Sequence, residues 1–283
     1  MGDPLKNLLD LLDLEELEIN IFRGVSPKED RQRVFGGQVA GQALVAAGRT
    51  VEQGQVHSLH CYFLRPGDPK IPILYEVDRI RDGRSFTTRR VVAIQHGRAI
   101  FNLDASFHKP EPGLDYHMPM PEVPPPVRLP TFKERVKAYL DDIGSWADRE
   151  RPIDIRLCDP LDRPPREWRE PTAAAWIRAD GRLPDDPMLH ACVLAYASDM
   201  TLLDVTVRPH GLVWSPERKL MMASLDHVMW FHRPFRADEW LLYAQTTPSS
   251  AGGRGLATGS VYTRDGVLVV SVAQEGLIRQ LEG

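Results

Sequence analysis

Apolar residues along the chain fall into two long blocks, and each block predicts a helix followed by a run of strands. In the first block, residues 35 to 48 predict a helix rich in Gly and Ala, and residues 56 to 108 predict about four strands separated by turn signals. In the second block a helix is predicted from about 186 to 203. The strands after it cover roughly 220 to 233, 240 to 247, 255 to 262 and 267 to 278. This order predicts an α+β fold in which each half is an antiparallel sheet wrapped around a long helix.

The two blocks also repeat in sequence. A segment of the first block, Phe63-Leu64-Arg65-Pro66, recurs 168 residues later as Phe231-His232-Arg233-Pro234. The pair Leu74-Tyr75 recurs at the same distance as Leu242-Tyr243. Two copies of a unit of this size indicate a tandem domain rather than a solenoid, whose repeats are far shorter. We therefore expect the functional site where two similar halves meet.

Proline content separates the two blocks. Residues 109 to 171 hold 13 of the 24 prolines and predict a linker between an N-terminal domain, residues 1 to 108, and a C-terminal domain, residues 172 to 283. Short strands are also expected near 153 to 158 and 173 to 179, where the pattern of the second half begins. Apolar residues at helical spacing predict a surface helix within the linker, between 131 and 150. They are Phe132, Val136, Tyr139, Leu140, Ile143 and Trp146.

Two helical segments in the first half carry further signals. Leucines separated by acids predict an amphipathic helix over residues 5 to 17 that packs on the body of the protein. The helix over residues 35 to 48 contains several glycines, and each interior glycine costs about 0.8 to 1 kcal/mol relative to alanine. Close approach of a sheet or a ligand would offset that cost.

Composition and charge narrow the class of protein. The 283 residues carry a net charge of -4 with interspersed signs, which gives no global case for binding nucleic acid. Cys61, Cys158 and Cys192 are far apart and odd in number, which favours a reducing compartment. The sequence shows no signal peptide and no peroxisomal address, and no apolar stretch approaches the ~20 residues needed to cross a bilayer. We expect a soluble cytoplasmic protein without membrane insertion.

Three polar residues are candidates for chemistry. Asp199 shares a helix face with apolar residues, and the sequence weighs a solvent-facing helix end and a functional carboxylate equally. Gln274 lies on an apolar strand face, which favours an internal hydrogen bond with a structural role. Ser224 begins a strand and, taken alone, reads as a surface or turn residue. If the three converge, an acid, a hydroxyl and an amide can together hold and deprotonate one water.

Other reactive side chains form no known catalytic motif. Asp226 and His227 are adjacent on a strand and face opposite sides, so one of them is expected in a hydrogen-bond network rather than both at one centre. The histidines lack metal-ligand spacing, and the chain lacks G-x-S-x-G, P-loop and C-x-x-C motifs, so neither a metal nor a cofactor is predicted. Arg89 and Arg90 end a basic stretch that forms either a solvated face or a phosphate contact.

Several segments, in order along nearly the whole chain, resemble the acyl-CoA thioesterase II family. They are VFGGQVAGQAL, HSLHCYFLRPGD, RDGRSFTTRRVVAIQHGRAIF, ASFHKPE, WIRADGRLPDD, YASD, SLDHVMWFHRPF, EWLLY and DGVLVVSVAQEGLIR. Any one of them is a weak signal, but together they are highly specific. The resemblance implies a double hotdog, in which two copies of a long helix, each wrapped by an antiparallel sheet, are joined by a linker.

The resemblance also implies an activity and the residues that carry it. It implies hydrolysis of fatty acyl-CoA to free fatty acid and CoA by a water that Asp199, Ser224 and Gln274 activate. Ser224 departs from the family, which commonly has threonine there; serine keeps the hydroxyl and loses the methyl that stiffens the rotamer. By analogy we expect a homo-oligomer, a dimer or a tetramer, because sheet edges of hotdog domains often pair between subunits.

Substrate contacts and two alternative functions stay open at this point. Gly36, Gly37, Arg89 and Arg90 are the predicted substrate-binding residues, the glycines through backbone amides at a helix start and the arginines through phosphates. A hotdog enoyl-CoA hydratase is the alternative enzyme, but it needs an aspartate and a histidine arranged on one helix or loop, which the sequence does not offer. An acyl-CoA sensor that binds without turnover is the non-enzymatic alternative.

Overall fold

The computed structural model describes residues 3–27, 32–137, 151–164, 167–212 and 220–280. The α-helices in these ranges are α1 (Pro4–Leu12), α2 (Gly36–Arg49), α3 (Phe132–Lys137) and α4 (Pro187–Ser198), with 3₁₀ segments at Pro126–Arg128 and Leu202–His210. The strands are β1 (Glu15–Glu18), β2 (Ile21–Gly24), β3 (Gln55–Phe63), β4 (Ile73–Asp82), β5 (Phe86–Gln95), β6 (Arg98–His108), β7 (Ile153–Leu157), β8 (Thr172–Ala179), β9 (Leu220–Ser224), β10 (Asp226–Phe231), β11 (Leu241–Ala251), β12 (Arg254–Thr263) and β13 (Leu268–Gln280).

The strands form one antiparallel sheet that curves around two central helices. Its order is β1-β2-β4-β5-β6-β3-β10-β13-β12-β11-β8-β7, with β9 beside β13. The order is mirrored about the contact between β3 and β10, so α2 belongs to the six strands on one side and α4 to those on the other. Both helices contribute to a single continuous hydrophobic core. The prediction of an α+β tandem hotdog is confirmed.

The echoed strands pair with each other at the junction of the two halves. In the ladder between β3 and β10, Leu59 lies opposite Met229 and His60 lies opposite Val228. His60 and Val228 are also equivalent positions in the 168-residue repeat. A pseudo-two-fold axis that relates the halves therefore passes through this pair, and the repeat in sequence marks the seam of the molecule.

Helix α2 and helix α4 pack closely against each other in opposite directions. A Cβ added to Gly37, near the start of α2, would collide with the carbonyl oxygen of Tyr196 near the end of α4. Gly48, near the end of α2, lies against the side chain of Met188 in the first turn of α4. The predicted reason for these glycines, a nearby sheet or ligand, is wrong at both positions, because the close neighbour is the second helix.

Gly37→Ala is expected to lower the free energy of unfolding by about 1 to 3 kcal/mol, the usual cost of overpacking, although alanine is the better helix former. Denaturant titration measures this change. Gly113→Ala is the matched control, because a Cβ there would meet no atom within 4 Å. If Gly37→Ala is as stable as the parent, the two helices do not need their close contact.

Helix α4 is apolar all round, as expected for a helix enclosed by its own sheet. By length and composition, Pro187–His210 is long enough to cross a membrane, but 61% of its most apolar window is buried inside the fold. This buried helix is the core of the second half.

The N-terminal helix is shorter than predicted. Helix α1 buries Leu5, Leu8 and Leu12 against the body as expected. It ends at Leu12 because Asp13 has an extended backbone, and the chain then enters β1, which pairs with β2. Leu17, predicted on the helix, lies on β1 and is exposed.

The Pro-rich segment packs on the outside of the second half. Trp176 on β8 donates through Nε1 to the carbonyl oxygen of Pro124 at 2.9 Å. Strand β7 falls within the range that the sequence assigns to the linker, and it pairs with β8 as an edge of the sheet. The surface helix predicted from 131 to 150 is described only as α3. Its later apolar residues lie outside the described ranges: Tyr139, Leu140, Ile143 and Trp146.

Candidate active site

Asp199, Ser224 and Gln274 come together where α4 ends. Asp199 is the residue that caps the end of the helix, and Ser224 is the last residue of β9. Gln274 lies on β13 and is fully buried, because strand alternation points it inward together with Val270 and Val272. The end of α4 and the paired strands β9 and β13 thus contribute one polar side chain each. The three side chains converge, which is the condition under which Ser224 becomes a candidate for chemistry.

The three side chains form a closed set of hydrogen bonds. Gln274 Nε2 donates to Asp199 Oδ1 at 2.7 Å and to Ser224 Oγ at 2.7 Å, and Ser224 Oγ donates to the same Asp199 Oδ1 at 3.1 Å. Among the residues that the structure describes, Asp199 Oδ2 accepts no such bond. One oxygen of the carboxylate is therefore held by two donors, and the other is left for a further contact.

A cavity of about 1510 Å³ opens beside Asp199 and Ser224 and is lined by both halves. Its apolar wall includes side chains from α1, β3, β6, α4 and β9. These are Leu8, Leu11, Phe63, Phe101, Tyr196 and Met222. A large apolar cavity with a few convergent polar groups is the usual form of a site for a small hydrophobic ligand.

The start of α2 lies next to Asp199 in the lining of this cavity. The residue before the helix, Phe35, has no side-chain group that can cap it, and Gly36 lines the cavity. A Cβ on Gly36 would lie only 2.7 Å from Asp199 Oδ2. The first N–H groups of a helix lack partners within the helix, and they carry the positive end of its dipole. The free carboxylate oxygen therefore lies next to the start of α2 in the other half, where the N–H groups of Gly36 and Gly37 have no hydrogen-bond partner among the described residues.

A second carboxyl lines the same cavity. Asp204, in the 3₁₀ segment after α4, is exposed to the cavity, yet the surrounding protein desolvates it. Desolvation raises the pKa of Asp204 to about 7, the positive charge of Arg208 opposes the shift, and the negative charge of Asp199 adds to it. Near neutral pH, Asp204 therefore adds less than one full negative charge beside Asp199.

The first half contains a counterpart of this site, and an arginine fills it. Helix α2 ends in Thr50, where α4 ends in Asp199. On the strands, Ala105 holds the register position that corresponds to Gln274. The buried guanidinium of Arg89 donates through Nε to Thr50 Oγ1 at 2.8 Å and through Nη2 to the carbonyl oxygen of Thr50 at 3.0 Å. Thr50, Ala105 and the guanidinium of Arg89 thus stand in the first half where the second half has its trio.

The start of α4, which corresponds to the start of α2 in the other half, has no free N–H group of the same kind to offer a ligand. Asp186 caps α4 by accepting a hydrogen bond from the backbone N–H of Met188 at 2.9 Å. Pro187 follows at the first helical position and has no N–H to offer. The start of α2 has neither a side-chain cap nor a proline, so the described part of the chain offers this geometry once.

Arg89 and Arg90, predicted to bind substrate, do not reach the cavity. Arg89 is only 1% exposed and its guanidinium is used inside the first half. Arg90 is exposed on the outer face, where its Nε donates to Asp104 Oδ1 at 2.9 Å. Neighbouring strand residues point to opposite faces, which places Arg89 inside the first half and Arg90 on its outer surface, and neither is among the residues that line the cavity.

Two arginines that the sequence did not assign to the site, Arg33 and Arg65, lie at the cavity instead. Arg33 and Arg65 are exposed residues of its lining. Each is anchored by a hydrogen bond to a backbone carbonyl: Arg33 Nη2 to Met222 at 2.7 Å and Arg65 Nη1 to Ala99 at 2.6 Å. Nothing in the local pattern separates Arg33 from other surface arginines. Arg65 belongs to the repeated Arg-Pro segment, but the repeat does not show that it lines the cavity, because that depends on how the two halves meet.

The adjacent pair Asp226 and His227 is divided between two networks, as opposite strand faces require. Asp226 Oδ1 accepts a hydrogen bond from the backbone N–H of Glu275 at 2.7 Å. His227 is 1% exposed, and its Nε2 lies 2.9 Å from Ser198 Oγ. In the described ranges, no group of three or more His, Cys, Asp or Glu side chains could hold a metal ion.

Comparisons with known proteins agree with this architecture. A family model described as acyl-CoA thioesterase matches residues 166–277, and one described as the acyl-CoA thioesterase N-terminal domain matches residues 26–108. Acyl-coenzyme A thioesterase 8 of Mus musculus is 45% identical over 283 residues, which cover 95% of this chain and 88% of that protein. Acyl-CoA thioesterase 2 of Haemophilus influenzae is 38% identical over 285 residues, which cover 99% of this chain and 99% of that protein.

A solved structure gives the same result in three dimensions. The acyl-CoA thioesterase II from Mycobacterium marinum superposes with a TM-score of 0.81 at 46% identity, covering 98% of this chain and 99% of that one. A hot dog protein from Alicyclobacillus acidocaldarius shares the fold at 20% identity with a TM-score of 0.79. The chain therefore belongs to the acyl-CoA thioesterase II family of thioester hydrolases.

Proposed function

We propose that this enzyme hydrolyses fatty acyl-CoA to a free fatty acid and CoA, with Asp199 as the general base. The observation that carries the proposal is the asymmetry of the Asp199 carboxylate. Its Oδ1 is held by Ser224 and Gln274, whereas its Oδ2 lies beside Gly36 at the uncapped start of α2. A general base has to be held in place and still present a free atom to the proton it removes.

The reaction then follows from the groups around Oδ2. The acyl chain lies in the apolar part of the cavity, and the thioester carbonyl oxygen accepts hydrogen bonds from the backbone N–H groups of Gly36 and Gly37. A water between Oδ2 and the carbonyl carbon gives its proton to Oδ2 as its oxygen bonds to that carbon. The N–H groups and the dipole of α2 stabilise the oxyanion. Collapse breaks the C–S bond, and the CoA thiolate takes the proton back from Asp199.

Ser224 and Gln274 orient Asp199 and, through it, the water. Both donate to Oδ1, which fixes the plane of the carboxylate and directs Oδ2 toward the cavity. Serine in place of threonine keeps this donor. The rotamer freedom that serine gains is limited by the second hydrogen bond, in which Ser224 Oγ accepts from Gln274.

Release of free CoA from saturated acyl-CoA thioesters of increasing chain length tests the proposal. Hydrolysis predicts one CoA and one fatty acid for each thioester consumed, and the rates across the panel give the chain-length preference. A hydratase would consume enoyl-CoA without releasing CoA, and a sensor would bind the panel without consuming it. Hydrolysis is favoured over hydration because His227 is buried and does not line the cavity.

We further propose that Arg33 and Arg65 bind the phosphates of CoA at the cavity mouth. Replacing both with Gln is expected to raise KM for acyl-CoA by about 5- to 10-fold, the effect of two exposed charge contacts. KM for the matching acyl-N-acetylcysteamine thioester, which has no phosphate, stays at the parent value. The control is Arg98→Gln, an exposed arginine outside the cavity lining. An equal rise in KM for both substrates would contradict this assignment.

The cellular setting and assembly are also proposals. The cysteines Cys61, Cys158 and Cys192 are free thiols, which supports work in a reducing compartment such as the cytoplasm. Strands β1 and β7 leave the two ends of the sheet unpaired within the described chain, which supports edge pairing in a homo-oligomer. Size-exclusion chromatography with light scattering measures the number of copies.

A further inference from the structure

Two more polar side chains lie behind the catalytic three, away from the cavity. Ser198 and His227 are 0% and 1% exposed, and neither is part of the cavity lining. His227 Nε2 lies 2.9 Å from Ser198 Oγ, and Ser198 directly precedes Asp199 in the chain. Polar groups buried this deeply cost free energy unless they are hydrogen-bonded, so the pair needs partners.

Two buried atoms, His227 Nδ1 and Gln274 Oε1, indicate what the pair is for. Neither has a partner of regular hydrogen-bond geometry in the part of the chain that the structure describes. The two residues come from paired strands, next to the opposed residues Val228 and Ala273, so their inward side chains are neighbours. Burial lowers the pKa of His227 most strongly, while the charge of Asp199 and a hydrogen bond with Gln274 raise it. An amide oxygen only accepts hydrogen bonds, so a contact between these atoms requires the proton on Nδ1.

We infer that His227 is a positioning residue for the reaction, whose Nδ1–H donates to Gln274 Oε1 and thereby fixes which end of the amide faces Asp199. With the proton on Nδ1, Nε2 is an acceptor. The single proton of the Ser198 hydroxyl, which lies 3.1 Å from the carbonyl oxygen of Ala195 and 2.9 Å from Nε2, is then directed to the nearer Nε2. Each group then donates to the next: Ser198 to His227, His227 to Gln274, and Gln274 to Asp199. The inference rests on the proposed function, in which Gln274 holds the general base.

The need for such a residue follows from the near symmetry of an amide. The oxygen and nitrogen of a glutamine side chain are similar in size, so packing alone does not select between its two orientations. In the reversed orientation Oε1 would face Asp199 Oδ1, and two acceptors would meet. His227 disfavours that orientation, because it would set the amide N–H against Nδ1–H. The direction of one buried proton thus secures the contact that holds Asp199.

Two amide substitutions at His227 test the role of Nδ1. Asparagine carries its N–H near the position of Nδ1, whereas glutamine carries it near that of Nε2. We expect His227→Asn to keep kcat within about fivefold of the parent and His227→Gln to lower it by about 10- to 100-fold, the usual cost of a misplaced catalytic group. KM stays near the parent value in both, because neither contacts substrate. In a Gln274→Ala background the difference between the two variants disappears, because their common partner is gone.

Equal kcat for the Asn and Gln variants, or an undiminished difference in the Gln274→Ala background, would overturn the inference. A measurement that needs no activity separates it from the proposed function: ¹⁵N NMR of histidine-labelled protein, with His227 assigned by comparison with His227→Asn. We expect the proton on Nδ1, and a proton on Nε2 alone would overturn the inference in a fully active enzyme. Conversely, an Nδ1 proton together with an active Asp199→Asn variant would overturn only the proposed function.

Discussion

Asp199→Asn is expected to lower kcat by about 10²- to 10⁴-fold, the contribution of a positioned general base. Asparagine keeps the shape of the side chain and an oxygen that can accept from Ser224 and Gln274. Its amide cannot take a proton from water, so the substitution removes the chemistry with little change in packing. KM stays within a few-fold of the parent value. Steady-state release of CoA from one acyl-CoA at saturating concentration measures the effect.

The control for this prediction is Asp204→Asn, which removes the second carboxyl of the same cavity. Asp204 makes no hydrogen bond with Ser224 or Gln274 and is only partly ionised near neutral pH. The kcat of Asp204→Asn is therefore expected to stay within about threefold of the parent value, a much smaller loss than the removal of a general base causes. Near-normal turnover by Asp199→Asn, or equal losses in the two variants, would remove Asp199 from the role of base.

Gly36→Ala is expected to lower kcat by about 10²- to 10³-fold, comparable to the loss of an oxyanion donor. The new Cβ would lie 2.7 Å from Asp199 Oδ2 and 2.9 Å from the ring of Phe63. It would occupy the space assigned to the attacking water and displace the first N–H group of α2. The same CoA-release assay measures kcat, and thermal unfolding shows whether the variant stays folded.

The neighbouring glycine provides the comparison. A Cβ on Gly37 would meet the backbone of α4, whereas one on Gly36 would meet the ends of the Asp199 and Phe63 side chains. We therefore expect Gly37→Ala to cost more stability and Gly36→Ala to cost more turnover. Adjacent substitutions of the same kind therefore separate chemistry from packing. A Gly36→Ala variant with kcat near that of the parent would exclude the start of α2 as the place where the thioester carbonyl binds.

The fold was accessible from the sequence because its two signals are local or repetitive. The change from helical to alternating periodicity predicts a helix and strands in each half, and the shared Arg-Pro segments predict a duplication. The pairing of β3 with β10 was not accessible, because strands so far apart in the chain carry no local mark of their neighbour. The same limit applies to the glycines of α2, whose close partner α4 lies in the other half.

The candidate site was accessible only in part. Strand alternation predicts that Gln274 points inward. No comparable rule predicts which way Asp199 points at a helix end, so only the family resemblance favoured the functional interpretation over a solvent-facing side chain. Arg89 shares its strand phase with Val91 and Ala93, so its inward direction was readable too. What the pattern could not show is that the end of α2 leaves room for its guanidinium beside Thr50.

Single-turnover hydrolysis in H₂¹⁸O, with enzyme in excess over acyl-CoA and the fatty acid analysed by mass spectrometry, tests the central claim most directly. Attack by a water that Asp199 activates predicts one ¹⁸O atom in the carboxylate of every fatty acid released. Unlabelled fatty acid, with the label found in the Asp199 carboxylate, would contradict the account, because the carboxylate itself would then have attacked the thioester.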